Sequence, residues 1–460
     1  MTQAEYSPEE TKSPLLYWRK TSIIGKFVGL LSHWHSSSYL LSYQDIIATI
    51  FICLVIIAAP FTNNTLIGLI LFASGAFWLL LTISEVKTNQ ITAIHLWIFA
   101  YWLISVVATA FSPLKSEALS GLIKFTLYLF FFALATRVFR HPKLLSWITT
   151  FYLLISLIVS SYGVRQQFIG VKPLATWNDP TSPLADATRV YSYLGNPNLL
   201  GSYLIPAVAF SVAALIIWQT LPQKIFAGFA LTINIACIYF TGSRGSWLAL
   251  VATGIVFLLA FKFWWNDYLS PFWRKWLIPI AIGSFIVLVV VGAIFSETLR
   301  LRIFSLFSGR GDSSNNFRIN VWNSAFKMFQ DYPLIGIGPG NEVFNKIYPN
   351  YMQTKFTALS AYSIFLEITL ETGLIGIMSF LGVIIATFQR GIRIIKNFQL
   401  KNDSQAMWVI AALAGMTGLA TQGLFDTVWY RPQVNTLWWL SIAVIASFPV
   451  LNISGDNDVN

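Results

Sequence analysis

Runs of about twenty apolar residues, nearly free of charge, recur along the whole chain and constrain its fold more than any other feature. The stretch 277–295, for example, holds no charged side chain. Hydrocarbon offers no partner to a peptide group, so a chain crossing it must pair its own backbone, as helices or as a closed barrel. The runs show no alternation of apolar and polar residues with a period of two, which favours helices. Composition agrees: 56% of residues are hydrophobic, 16% aromatic and 11% charged, with a mean hydropathy of +0.64. A soluble globular domain has no use for that balance. The expected fold class is an all-α polytopic membrane protein.

About twelve spans are expected, at roughly 46–62, 66–84, 91–111, 119–137, 144–164, 199–218, 224–241, 246–264, 277–295, 361–388, 406–424 and 434–452. Residues 1–45 form a leader, and 46–295 hold the first nine spans with a longer loop at about 165–198. The segment 296–360 is the largest polar interruption, and 361–460 hold the last three spans and a short tail. The leader carries no cleavable signal, so the first apolar run is expected to act as an uncleaved anchor. Short loops rich in Lys and Arg stay on the cytoplasmic side. That rule groups the leader, Lys87, Arg137, Arg140, Lys143, Lys224, Lys262, Arg274, Lys275, Arg390, Arg393, Lys396 and Lys401 on the inner side. Both termini are then cytoplasmic, and the 165–198 and 296–360 loops face outward. A multi-pass inner (plasma) membrane protein is expected, with the thylakoid membrane as the alternative.

The leader mixes apolar residues with Arg19, Lys20 and Lys26 between about residues 14 and 41, which reads as an amphipathic helix lying on the inner surface. His33 and His35 within it lack a third ligand nearby, so no metal is expected. Cys53 and Cys237 lie inside apolar runs and read as packing residues. No cofactor and no nucleic-acid partner is expected; the lipid bilayer is the evident partner.

Charges placed against the bilayer are expensive and therefore informative. Lys124 is close enough to the end of its span to snorkel. Glu367 and Glu371, spaced i and i+4, share one face of the tenth span, where an outer-loop arginine or a coupling ion would relieve their repulsion. Three outward elements each present an arginine. Arg189 precedes Asn196-Pro197-Asn198, where Asn196 or Asn198 can cap the next helix. Arg244 sits in Thr241-Gly-Ser-Arg-Gly-Ser-Trp247, whose glycines allow close approach of a ligand. Arg318 lies four residues before Trp322, on one helical face. The 296–360 segment holds seven basic and four acidic residues, a net charge of about +3. Arg189, Arg244 and Arg318 together suggest a site for an anion or a pyrophosphate.

These motifs, with Asp331-Tyr-Pro-Leu-Ile-Gly-Ile-Gly-Pro-Gly340 and Leu370-Glu-Thr-Gly-Leu-Ile-Gly376, resemble the O-antigen ligase and polymerase superfamily in order and spacing. The resemblance covers most of the chain beyond about residue 100 and is nearest to the cyanobacterial IctB-type proteins, described as bicarbonate transporters. Ligases of the superfamily carry a histidine nine residues and one position ahead of a Gly-x-x-Gly. Here Tyr362 takes that position, ahead of Gly373 and Gly376. A tyrosine, with an ordinary pKa of about 10, is a poor general base at neutral pH.

The resemblance implies two principal functions. The first is inorganic-carbon accumulation, with the outer arginines drawing in bicarbonate. The second is glycosyl transfer from an undecaprenyl-diphosphate-linked glycan, with the arginines on the pyrophosphate and Glu371 orienting the acceptor. A non-catalytic accessory subunit is the third reading. The sequence leads with inorganic carbon, because Tyr362 replaces the ligase histidine. No clear pair of broken helices is expected around a midplane site.

Overall fold

The computed structural model describes residues 28, 30–84, 91–172, 188–426 and 428–449. Every regular element among them is helical. Two short helices, α1 (Ser32–Ser37) and α2 (Tyr39–Ser42), lead into α3 (Gln44–Phe61), α4 (Asn64–Ser84) and α5 (Ala93–Phe111). Then follow α6 (Lys115–Val138), α7 (Pro142–Ile169), α8 (Pro197–Ile217), α9 (Leu221–Phe240), α10 (Arg244–Trp265) and α11 (Pro271–Phe295). Three shorter helices, α12 (Glu297–Phe307), α13 (Ser313–Asp331) and α14 (Asn341–Ile347), occupy the polar interruption. The chain returns through α15 (Ile364–Leu400), α16 (Ala406–Gly423) and α17 (Pro432–Ser447). Most of the leader lies outside the described residues, as does the side chain of His35.

Eleven of these helices, α3 to α11 with α15 and α16, are long and apolar enough to cross a membrane. The protein is an all-α polytopic membrane protein. The twelfth expected span is α17, which has 16 residues and is buried along its whole length. Its last carbonyls are taken up by Arg390 of α15, which donates from Nη2 to Phe448 (2.7 Å) and from Nε to Ile445 (3.4 Å). The tenth span also differs from its expected limits. Arg390, Arg393 and Lys396 continue α15 instead of lying in a loop. Lys and Arg are good helix formers, so hydropathy marks where the oil ends and not where the helix does.

The centre of the bundle is built by α8 and α16, buried on nearly all faces, with α10 against both. Small residues allow these approaches. A Cβ on Gly201 of α8 would fall 2.0 Å from Ser246 Oγ of α10, and one on Gly418 of α16 would fall 2.4 Å from Thr253 Oγ1. Gln422 near the end of α16 donates to the Asn198 carbonyl at the start of α8 (2.9 Å). Three helix ends are thereby fixed side by side at one end of the bundle.

α15 is broken at Gly373, whose φ of 67° and ψ of −168° belong to a region open essentially to glycine alone. The segment 333–338 closes the gap. Ile337 and Gly338 donate to the carbonyls of Leu370 (2.8 Å) and Glu371 (2.9 Å), while Leu374 and Ile375 donate back to Pro333 (2.9 Å) and Leu334 (3.4 Å). The backbone groups released by the break are thus satisfied by the chain itself. One interrupted membrane helix is therefore present, where the sequence led to the expectation of no clear pair of them. On the far side of this segment a Cβ on Gly121 of α6 would lie 2.1 Å from the Pro339 oxygen, so α6 is packed directly on the backbone.

Candidate functional site

A cavity of about 790 Å³ opens where α8, α10, α12, α13, the start of α15 and the end of α16 converge. Arg189, Arg244 and Arg318, far apart in sequence, all line it, together with Asn198, Trp322 and Tyr362. Each arginine is held by oxygen atoms of a neighbouring element. Arg189 donates from Nε to the Thr241 carbonyl (3.0 Å) and from Nη2 to Asn198 Oδ1 (3.2 Å). Asn196 is the helix cap: its Oδ1 accepts from the N–H groups of Asn198 (2.8 Å) and Leu199 (3.2 Å). Asn198 is thereby left to hold Arg189.

Arg244 is the first residue of α10, which Ser243 caps. Its Nη1 donates to the carbonyl and hydroxyl of Ser305 (3.0 and 2.8 Å), and its Nη2 pairs with Asp312 (2.8 Å). Arg318 donates from Nε to the Phe425 carbonyl (2.6 Å) and from Nη1 to Ser314 (2.7 Å). A guanidinium has five N–H groups, so these tethers leave further donors for a ligand while fixing the direction of the fork.

The sequence reading missed a fourth arginine. Arg302 of α12 is buried, lines the same cavity and donates from Nη1 to the Gly242 carbonyl (2.7 Å). It also explains Gly242, which adopts φ 59° and whose Cβ would sit 2.8 Å from the Arg302 guanidinium. This glycine makes room for a side chain of the protein, where the sequence suggested room for a ligand. In the sequence this arginine stands in Arg300-Leu-Arg302, with no glycine, asparagine or tryptophan beside it to mark it.

Four arginines meet two carboxylates, Asp312 and Asp426, so the described lining carries a formal charge of 4 − 2 = +2. Burial and the neighbouring Arg302 and Arg244 push Arg189 down to about 9, while Asp426 works in the opposite direction. Burial and Arg244 push Arg302 down to about 10, and burial lowers Arg318 against the pull of Asp426. All three remain cations at neutral pH. Their depressed values come first from burial, with the neighbouring arginines adding to it.

Tyr362 sits at the cavity wall at a positive φ of 51°, edge-on to Phe317 of α13 (ring centroids 5.3 Å, 87°). Burial, Asp426 and Tyr430 push its hydroxyl up to about 12, outweighing the opposing effect of Arg318. This environment does not produce a lowered, basic tyrosinate.

The two glutamates lie elsewhere. Glu371 accepts from the Gly340 N–H (2.8 Å), so it anchors the bridging segment instead of meeting an arginine. Glu367 Oε2 accepts a long bond from the Ala361 N–H (3.4 Å). Neither lines the cavity, and neither do Gly373 and Gly376. Gly373 is the break in α15, and a Cβ on Gly376 one turn later would fall 1.9 Å from Thr372 Oγ1. Lys124 pairs with Glu342 of α14 (2.8 Å) instead of simply snorkelling. Among the described residues, no cluster of three or more His, Cys, Asp or Glu is gathered.

Residues 227–381, roughly a third of the chain, match the family model for O-antigen ligase. No curated protein matches the chain. The matched stretch contains Arg244, Arg302, Arg318, Trp322 and Tyr362, whereas Arg189 and Asp426 of the same cavity lie outside it. Over that stretch the protein is similar to O-antigen ligases, and nothing in these comparisons supports bicarbonate transport or a cyanobacterial origin.

Proposed function

We propose that this protein transfers a glycan from an undecaprenyl-diphosphate carrier to an acceptor hydroxyl at the outer face of the inner membrane. The observation that carries this reading is the cluster of Arg189, Arg244, Arg302 and Arg318 around one cavity with a formal charge of +2. A diphosphate offers several oxygens to planar guanidinium forks and carries enough charge to neutralise the cluster. Leu248, Leu306, Phe307 and Phe317 give the same cavity apolar walls suited to the first isoprene units. Its volume is that of a site for a sizeable ligand, and far exceeds the needs of a four-atom anion. The match to O-antigen ligase supports the same conclusion.

In the reaction, the acceptor oxygen attacks the anomeric carbon, the bond from that carbon to the diphosphate oxygen breaks, and the diphosphate leaves with the electron pair. Preorganised arginines stabilise the charge that develops on the leaving group. Their backbone tethers mean that little reorganisation accompanies the step.

Binding of undecaprenyl diphosphate to the purified protein in nanodiscs tests the proposal. Arg302→Ala and Arg318→Ala are each expected to weaken binding by roughly tenfold to a hundredfold, the usual effect of losing a charge-assisted hydrogen bond. Wild-type protein that fails to bind this lipid would overturn the reading. Saturable uptake of labelled bicarbonate into proteoliposomes would instead restore the inorganic-carbon reading.

A further inference from the structure

A single residue, Ser296, makes the turn between α11 and α12. It is extended (φ −124°, ψ 106°), and its N–H donates to the Gly292 carbonyl (2.8 Å), closing α11. Its Oγ accepts from the Leu299 N–H (3.3 Å), capping α12. The chain folds back at once: a Cβ on Gly292 would lie 2.9 Å from Leu299 Cδ2, so the first turn of α12 packs on the last turn of α11. α11 is long and apolar enough to cross a membrane, and none of its residues is buried by the protein, so lipid bathes it. α12 therefore starts at the level where a lipid-bathed helix ends.

The two sides of α12 differ. Arg302 is buried, lines the arginine cavity and donates to the Gly242 carbonyl, while Ser305 receives the Arg244 fork. Residues two apart on a helix point to nearly opposite sides, so Arg300 and Phe304 are turned away from Arg302. Phe304 is 64% exposed, and Phe307, one turn on, is 83% exposed. Phe295, the last residue of α11, is 86% exposed, so the rings of α12 continue the apolar surface of the span. Arg300 lies one turn before Phe304 on the same face, and its pair with Glu297 is long (3.7 Å) and exposed. Aromatic rings beside a lipid-facing helix, with a cation at their edge, are what a helix lying in a membrane surface presents.

We infer that α12 is seated in the bilayer leaflet at that end of α11, with Phe295, Phe304 and Phe307 among the acyl chains and Arg300 at the headgroup phosphates. The same helix carries Arg302 on its other side, so the lipid surface is the partner that braces this arginine into the cavity. The seat itself is independent of the reaction; its effect on ligand binding rests on the glycosyl-transfer reading.

The test uses full-length protein with Cys53→Ala and Cys237→Ala, carrying one added cysteine: Phe304→Cys, Leu288→Cys in α11, or Lys355→Cys in the loop before α15. Each is labelled with an environment-sensitive fluorophore and placed in nanodiscs of phosphatidylethanolamine and phosphatidylglycerol with nitroxide groups on the acyl chains. The label at Phe304 is expected to be quenched nearly as much as that at Leu288 and severalfold more than that at Lys355. Quenching no greater than at Lys355 would overturn the inference. So would a shielded label that the lipid nitroxides fail to quench, because a second copy or another protein would then cover this face. The brace is tested by undecaprenyl diphosphate binding in unlabelled nanodiscs. Phe304→Asp is expected to weaken binding, by no more than Arg302→Ala does, and Phe304→Leu to keep it. Wild-type affinity in Phe304→Asp would overturn the brace, as would equal loss in Phe304→Leu, since the seat asks only for an apolar side chain. Wild-type protein that binds no undecaprenyl diphosphate would sink the functional reading and leave the quenching result standing.

Discussion

At Tyr362 the backbone enters the left-handed region at φ 51°, a conformation that side chains other than glycine adopt infrequently. Histidine, asparagine and aspartate are the residues that tolerate it best, so Tyr362→His introduces a side chain that suits the local backbone. Because the hydroxyl is raised to about 12, it is neutral at any physiological pH. Tyr362→Phe is therefore expected to keep activity within about threefold across pH 7 to 9; a catalytic tyrosinate would lose it by far more and make it climb with pH. The sign for stability follows from the same shift. A group raised from its ordinary value near 10 to about 12 contributes stability below pH 10 and loses it as pH rises through 12. Thermal unfolding of wild type against Tyr362→Phe between pH 9 and 12 checks this: the difference between them should narrow or reverse with increasing pH. Residue-level legibility was uneven. Arg189, Arg244 and Arg318 stood out because each lies beside glycine, asparagine or tryptophan in a compact motif, whereas Arg302 and Asp426 lie in ordinary surroundings and become notable only when folding places them at one cavity.

Helix α15 shows what a sequence pattern reveals about an element and what it conceals. The glycines of Leu370-Glu-Thr-Gly-Leu-Ile-Gly376 and of Tyr332-Pro-Leu-Ile-Gly-Ile-Gly-Pro-Gly340 were visible as motifs, yet their partnership was not. Gly336 and Gly373 face one another across the break, each with no room for a Cβ: 2.4 Å to the Leu370 oxygen and 2.2 Å to the Leu334 backbone. Such pairing joins residues more than thirty positions apart, and local periodicity carries no trace of it. Gly373→Ala is expected to destabilise the protein by on the order of 3 kcal/mol, combining forbidden backbone angles with overpacking. The measurement is thermal unfolding in detergent, where an unchanged midpoint would show that the break is not built as described. By contrast, Lys124→Ala is expected to cost less than about 1 kcal/mol, since its pair with Glu342 is exposed on both sides.

For the molecule as a whole, the apolar runs made the helical membrane fold legible, because each run has to satisfy its own backbone. The packing order was not legible. α8 and α16 are central while α11 has no buried residue at all, although all three read as similar oily segments. Hydrocarbon and protein interior are equally apolar, so hydropathy does not distinguish a core helix from a lipid-facing one. The inside–outside assignment rests on charge and invites a direct test. A cysteine at Lys355 is expected to react with a membrane-impermeant maleimide on intact cells, and one at Lys401 only after permeabilisation. Labelling with the opposite pattern would invert the topology and place the arginine cavity on the cytoplasmic side.

The stitch between residues 333–338 and the broken helix also limits how the protein tolerates changes in chain length. Four hydrogen bonds set its register, two on each side of Gly373. One residue inserted between Leu334 and Gly338 would carry a side chain to the spot now held by Gly336, against the Leu370 oxygen. A deletion there would draw Gly340 off the Glu371 carboxylate. Insertions at exposed positions such as Gln353–Lys355 meet no such obstacle. Length variation in this part of the chain should therefore be confined to the stretch beyond α14, and affinity tags placed there should be harmless where tags before it are not.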